Sequence, residues 1–519
     1  MKNPTQVIFL WHMHQPFYKL PLKKDYYLGW VRLHAVKDYY GMALTLNKFD
    51  KAKAAFNFSG TLLDQIQDYA CNRAKDYYLT LTLKNPKYLS KKEKDFVKNR
   101  FFSINFDRFI KPNKRYLQLN NKKLSGKKFS YQDIMDLQIL FNLCWFSPYT
   151  FKEDKNLRAL KKKGRDYTTD DKKYVIEKQY KIIARIIPLY KKLLEAGKIE
   201  ITVTPFYHPI LPLINDTDIL KDFSHLKKPV SRFSHPEDCI WHLRKSKEIF
   251  RNIFNKDVKG SWPSEGSISE DVARIYHKEG FNWIGLDEGI LFNSLTTDYV
   301  SYDLIKNQRH LIYKAYNFGG VKMLFRDRNL SDAISFIYQG WDPVFAANDL
   351  LEHFKRIHYH TKGIVKNRAI SIIMDGENAW EYYKNNGIDF LETMYQHLEK
   401  SNILQTALPG DFIKHSNPRR LERLSPGSWI NSDFGVWIGS KENNLNWQLL
   451  RKTRDLIERA GNESKNFSKL MDYFYVLEGS DWNWWNTFYE PSGDFKGIFL
   501  TYIKEIYRLL NKKLPAYIK

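Results

Sequence analysis

The sequence predicts an α/β protein built on a barrel, with a mainly helical insertion and a mainly helical C-terminal part. Three observations carry this. Short apolar runs recur and end in polar or acidic residues. Helical patterns separate them, which is the signature of a parallel sheet. Several of the runs deliver a histidine or a carboxylate at the tip, where α/β barrels place their chemistry.

The elements follow in order. Val7–Trp11 is a continuous apolar run bounded by polar residues and reads as a buried strand ending at His12-Met13-His14-Gln15-Pro16. Ala54–Phe58 is a second run. Residues 70–172 are rich in Lys and Tyr, show no clear strand and carry a helix at Tyr131–Asn142, so they read as a helical insertion. A helical pattern over Val175–Ala196 stops at Gly197, a favourable C-cap residue. Ile199–Val203 follows as a strand. A helix is expected over Ser267–Glu279, and strands at Trp283–Leu286, before Asp287, and at Ala369–Met374, before Asp375. The catalytic barrel is therefore expected over residues 1–397. Residues 398–519 turn helical, with amphipathic segments at Leu445–Ala460 and Gly497–Leu510, and are expected to complete the cleft.

The bulk properties narrow the function. The chain has 519 residues, of which 43% are hydrophobic and 16% aromatic, enough for a large core and more than one domain. Aromatic side chains suit a carbohydrate cleft because sugar rings lay C–H faces on them, although most fill the core. The formal net charge is +25. The lysines are scattered, as in Lys161-Lys162-Lys163 and Lys191-Lys192, with no nucleic-acid-reading motif, so a solvated basic surface is expected rather than a nucleic-acid site. A neutral glucan is indifferent to that charge, whereas a phosphorylated one is not. Three dispersed cysteines without a CxxC argue against a disulfide framework and a cysteine zinc site. The first apolar run is too short and too early for a secretory leader, and no stretch is long enough for a membrane span, so a cytoplasmic protein is expected.

Two segments hold the chemistry. Glu265 stands in Trp262-Pro263-Ser264-Glu265-Gly266-Ser267, and Asp375 ends the run Ile372-Ile373-Met374. They are far apart in sequence, yet both could reach one barrel rim. Two carboxyl groups about 5 Å apart suffice for retaining cleavage of a sugar acetal. Each also has a plainer role available, capping the helix that follows. His12 and His14 are two apart on an extended segment and share a face, which leaves a two-histidine metal site or a hydrogen-bonded core histidine open. Glu200 lies within a strand, where a charge is costly unless paired, by a lysine in the plainest case. Asp287 ends another strand and is either structural or part of a subsite. Glu377 trails Asp375. Trp482 and Trp484 belong to Asp481-Trp482-Asn483-Trp484-Trp485, a sugar platform or a piece of core.

Taken together, these segments resemble glycoside hydrolase family 57. Its five short regions have counterparts in order: His14-Gln15-Pro16, Gly197-Lys198-Ile199-Glu200, Trp262-Pro263-Ser264-Glu265, Met374-Asp375-Gly376-Glu377-Asn378, and Glu478 to Trp485. Trp30 to His34, Phe325-Arg326-Asp327 and Trp429 to Phe434 also look family-like. The resemblance implies a distorted (β/α)7 barrel with a helical C-terminal region. It implies Glu265 as nucleophile and Asp375 as acid/base, with His14, Glu200, Trp262 and Trp484 around the sugar and His12 a less secure match. It implies an α-glucan or maltooligosaccharide as partner and neither metal nor cofactor. An α-amylase-like hydrolase is the leading expectation, with a 4-α-glucanotransferase or other transglycosylase on the same scaffold as the alternative. A glucan-binding protein without catalysis and a metal-dependent carbohydrate esterase are further readings. The oligomeric state stays open.

Overall fold

The computed structural model describes residues 4–229, 231–461, 466–488, 490–516 and 518. Residues 1–3, where the leader reading begins, lie outside that set. Ten strands form one sheet: β1 (Thr5–Met13), β2 (Ala54–Ser59), β3 (Ile199–Thr204), β4 (Gly260–Ser261), β5 (Trp283–Asp287), β6 (Tyr316–Phe318), β7 (Val321–Arg326), β8 (Ala369–Asp375), β9 (Leu404–Thr406) and β10 (Arg419–Arg420). Seven of them, in the order β7-β5-β4-β3-β2-β1-β8, run parallel, and pairing of β7 with β8 closes the ring. The fold is thus a (β/α)7 barrel surrounded by helices.

The seam between β7 and β8 is thin. Its ladder register holds a single pair, Arg326 with Ser371. Further up, the Ile373 amide donates instead to Ser331 Oγ at 3.2 Å. The short β4 is also held lightly, by one register pair to β3 and two to β5, whereas β1 and β8 stay in register from Gln6–Ala369 to His12–Asp375.

Parity along β1 sorts its side chains. Ile8 and Leu10 point into the barrel, where they meet Ala55, Trp262, Trp283, Leu324 and Ile373. Val7, Phe9, Trp11 and Met13 join the main core beneath the helices. Apolar residues on both faces are what a strand in a helix-covered parallel sheet requires. β9 takes up Thr5–Val7, the stretch of β1 that β2 leaves unpaired. The helix after it, Pro409–His415, brings Phe412 and Ile413 under the barrel interior as a floor.

The insertion carries no strand among its described residues and includes helix Tyr131–Leu143. The long helix Thr169–Glu195 starts on a Thr168–Asp171 capping box and ends at Ala196, with Gly197 in the left-handed region at φ 65°. Two strands of the ring escaped the sequence pattern. β4 is two residues long, and β7 follows the Gly319-Gly320 turn of a hairpin with β6. Beyond residue 398 the chain adds β9 and β10, on either side of the helix Pro409–His415, before the longer helices Lys441–Ala460, Phe467–Leu477 and Asp494–Leu509.

One buried arginine ties the first barrel helix to the insertion. Arg32 is wholly buried; its Nε donates to Asp76 at 2.7 Å, and Nη1 donates to Asn142 and Gln179 at 3.0 and 2.6 Å. Removing one member of a buried ion pair strands the other charge. Arg32→Met is expected to lower unfolding free energy by about 3–5 kcal/mol, measured by urea denaturation. A change under about 1 kcal/mol would mean the network adds little.

Candidate active site

Glu265 sits on a strained turn. After β4 the chain folds sharply through Ser264–Gly266, with Glu265 at φ 56°, ψ 26° and Gly266 at φ 58°. A side chain at 266 would meet the Trp262 ring at 2.8 Å, so only glycine fits. Left-handed backbone in a non-glycine residue costs on the order of 1 kcal/mol or more and persists where neighbours hold it. Trp429 does so twice. Its amide donates to the Glu265 carbonyl at 2.9 Å, and its indole N–H to Glu265 Oε2 at 2.7 Å. Ser269, not Glu265, caps the following helix by accepting from the Val272 amide. The acid is left for other work.

Asp375 ends β8 level with His12. Asn378 Nδ2 donates to its Oδ2 at 3.1 Å. Burial raises the Asp375 pKa, while Asn378, His14 and Arg326 pull it back. Glu265 is pushed up to about 8, first by burial and then by the charge of Asp375, against the Trp429 indole, which favours the ionised form. The two acids therefore feel each other, and they titrate as a pair.

A stack of three histidines stands beside them. His12 Nδ1 meets Asn57 Oδ1 at 2.6 Å, while Asn57 Nδ2 donates to Thr202 Oγ1 at 2.9 Å. The Asn57 oxygen thus faces His12, which places the His12 proton on Nδ1 and the lone pair on Nε2. That lone pair faces His208 Nε2 at 3.2 Å, so the His208 proton lies on Nε2 and its Nδ1 accepts from Ser480 Oγ at 2.9 Å. Both rings are thereby neutral. In agreement, burial and the neighbouring rings lower His12 to about 3 and His208 well below the usual value. His14 lies flat on His208 at 3.8 Å between centroids, joins Ser59 Oγ at 2.8 Å and meets Asp481 at 3.1 Å. His208 Nδ1 lies 3.8 Å from Glu265 Oε1, which links the stack to the acid.

The predicted residues divide. Glu265, Asp375, His14 and the deeper His12 share this region. Trp262 is wholly buried beneath it, edge-on to Trp429 at 5.4 Å; it is a foundation, not a sugar platform. Glu200 is a correction. It lies near the start of β3, away from the strand tips, with Oε2 accepting from the Gly410 amide of the floor helix at 2.7 Å and Oε1 from Trp283 at 3.0 Å. Its acid is raised to about 7 by burial. Asp287 is also corrected: it is fully buried, caps helix Glu288–Leu295 through the Gly289 amide and is bound by Arg328. Glu377 is buried behind the rim, where Oε1 accepts from Gln15 Nε2 at 2.9 Å. Trp482 is core, its indole donating to the Val476 carbonyl at 2.7 Å. Trp484 is half-buried against Trp437 and Phe488.

Sequence reasoning missed His208, Trp429 and Asp481 as site members. His208 carried a signal of the kind used for His14, a histidine before a proline soon after a strand. Its backbone is also left-handed, at φ 60°. His12 and His14 do not converge on one ion: His12 Nε2 turns to His208, and His14 to Ser59 and Asp481. The side chains close enough to share an ion here are His14, His208 and Asp481.

The frame is a closed parallel barrel with one buried acid at the tip of β8 and another in the turn after β4. The profile of glycosyl hydrolase family 57 matches residues 8–425, and the chain belongs to that family. It is an enzyme of the glycoside hydrolase class. Among solved structures, it is similar to a GH57 branching enzyme from Thermococcus kodakaraensis, with 14% identity, 97% of this chain and 90% of that one covered, and a TM-score of 0.62. It is also similar to the α-amylase AmyC from Thermotoga maritima, with 12% identity, 98% and 93% covered, and a TM-score of 0.61. A 4-α-glucanotransferase from Thermococcus litoralis gives 14% identity, 98% and 60% covered, and a TM-score of 0.56. No curated protein matches significantly. Among the described residues, no helix is long and apolar enough to cross a membrane.

The Trp429 indole predicts a titration. Because it bonds the ionised form of Glu265, its loss favours the protonated form. In Trp429→Phe the Glu265 midpoint is expected to move above the wild-type value near 8, read by carboxyl carbon NMR. A fixed or lower midpoint would show that this bond does not tune the acid.

Proposed function

We propose that the protein is a retaining α-glucan-active enzyme in which Glu265 is the nucleophile and Asp375 the acid/base. Asp375 gives its proton to the glycosidic oxygen as Glu265 Oε attacks the anomeric carbon, and the leaving chain departs protonated. Asp375 then takes a proton from water or a sugar hydroxyl, which displaces Glu265 and restores both groups. Water as acceptor makes an α-amylase. A sugar 4-hydroxyl makes a 4-α-glucanotransferase.

The observation that supports this reading is that two buried carboxyl groups, from opposite parts of the ring, flank one histidine stack, Glu265 3.8 Å from His208 and Asp375 level with His12. Burial raises both acids, and the charge of Asp375 raises Glu265 further, which favours one shared proton near neutrality; the attacked sugar carbon and the Trp429 indole favour the charge on Glu265 when the proton passes to Asp375. The indole N–H on Glu265 favours the charge there during attack. His14 is partly exposed, and because Ser59 and Asp481 engage its two ring nitrogens, a sugar hydroxyl would bind it by exchanging with one of those partners. A cytoplasmic location suits the three free thiols Cys71, Cys144 and Cys239.

Two measurements test the proposal. Maltoheptaose products resolved by size are expected to be shorter sugars for hydrolysis, or both longer and shorter ones for transfer. Glu265→Gln and Asp375→Asn are each expected to lower turnover by about 10²–10⁴-fold with the melting temperature little changed. Near-normal turnover in either variant would reject the assignment. The pH profile follows from the sign of the shift. Glu265 is raised, so the pair loses its last proton near pH 8, and kcat/KM is expected to fall above it. A profile flat to pH 10 would remove the pair as the proton source.

A further inference from the structure

A cavity of about 1070 Å³ lies apart from the candidate active site. It lies between the helical insertion and the 383–386 loop that follows the Asp375 segment. Its lining is unusual in charge. Ten of its 26 lining residues are Lys or Arg and one, Asp107, is acidic. The whole chain has 83 Lys and Arg in 519 residues against 58 acids, so the basic excess is concentrated here. Asp107 is itself turned to Lys111 at 3.3 Å.

Among the described residues, four of the ten cations are paired, Lys37 with Asp38, Arg115 with Asp133 and Asp136, Lys163 with Asp171 and Arg165 with Asp166, and six are not. Arg108, Lys114, Lys152, Lys161, Lys162 and Lys384 form no ion pair among the described residues. Arg108 instead reaches two backbone carbonyls, Tyr382 at 2.7 Å and Gln339 at 3.1 Å, and so ties the insertion to the barrel side of the cavity. Lys161 and Lys162 lie in the last turn of helix Lys155–Lys163, where they suit the negative end of that helix. Arg108, Lys152 and Lys384 likewise lie in the last turns of three short helical segments, whereas Lys114 opens its helix, so the six unpaired cations come from five elements.

The cavity wall includes a desolvated cation. Lys37 is fully buried, with Nζ 3.0 Å from Asp38 and donating to Asn386 Oδ1 at 3.2 Å. Asn386, beside Lys37, and its neighbour Asn385 are both held in left-handed backbone, at φ 54° and 51°. Phe109, Phe151 and Tyr383 add rings, and Asn113 and Gln118 add amides. Lone cations attract a solvated anion. A concave site with amides, rings and cations from several elements selects an anion that has an organic body.

We propose that this cavity binds a small phosphate ester, with the phosphate among Lys161, Lys162 and Lys384 and the body against the aromatic and amide wall. A sugar phosphate and a nucleotide share that chemistry. The site is distinct from the acids at the barrel rim, and its occupancy does not depend on the reaction assigned to them.

Titration calorimetry on the full chain at low and moderate salt tests it, with glucose 6-phosphate, ADP, inorganic phosphate and a single-stranded oligonucleotide as probes. The expected result is saturable binding of glucose 6-phosphate or ADP, tighter than inorganic phosphate, and the better of the two identifies the source. Lys161→Ala/Lys162→Ala is expected to weaken it at least about tenfold. Lys384→Glu, on the barrel wall, is expected to weaken the same ligand, because both walls share it. Turnover of unphosphorylated maltoheptaose, if present in the wild type, should be unchanged in both variants. The proposal is overturned if neither ester binds saturably, if inorganic phosphate binds as well as the esters, or if only the oligonucleotide binds. It is also overturned if Lys384→Glu leaves ester binding intact in a folded protein.

Discussion

The thin seam at which the barrel closes bears directly on its rim. A ring of seven parallel strands must close on itself, and here it does so through one register pair between β7 and β8. Each backbone group freed by that divergence needs another partner, and Ser331 supplies one to Ile373. The strand tips on either side carry Arg326 and Asp375. β8 meanwhile stays in register with β1 as far as His12, so the acid and the histidine stack are positioned by the same continuous ladder.

Around that rim, charge is managed by burial more than by pairing. The two acids repel each other across the site, and both are raised. Two of the three histidines are held neutral by a directional chain of hydrogen bonds that runs from Thr202 through Asn57, His12 and His208 to Ser480. A protonated ring in that chain would have to break one of the bonds. The C-terminal helices take part directly, since Ser480 and Asp481 hold His208 and His14 from outside the barrel. The site is therefore assembled from β1, the β3 and β4 loops, β8 and the C-terminal region, and no one segment contains it.

Much of this was legible in the residues. Continuous apolar runs marked β1, β2, β3, β5 and β8, because strands covered on both faces are apolar throughout. Helix Thr169–Glu195 announced its end with Gly197. The acids Glu265 and Asp375 stood out because each interrupts an apolar or glycine-bounded context. β4 escaped because two residues make no pattern. β7 escaped because Lys322 breaks its run and a glycine pair precedes it. His208 and Asp481 looked like ordinary polar residues, since their importance is a matter of neighbours brought from about 200 or more positions away.

Local sequence determined which segments become strands and helices, since periodicity and capping act over a few residues. It also determined that carboxylates would stand at strand ends. Which end of the barrel a carboxylate occupies was decided only by the closed sheet. Glu200 and Asp375 both lie in strands of the same ring, yet one is bonded to the floor helix and the other stands at the rim. Strand register and tilt are set by pairing across the whole chain, and that pairing separates a buried acid near the floor from one at the mouth.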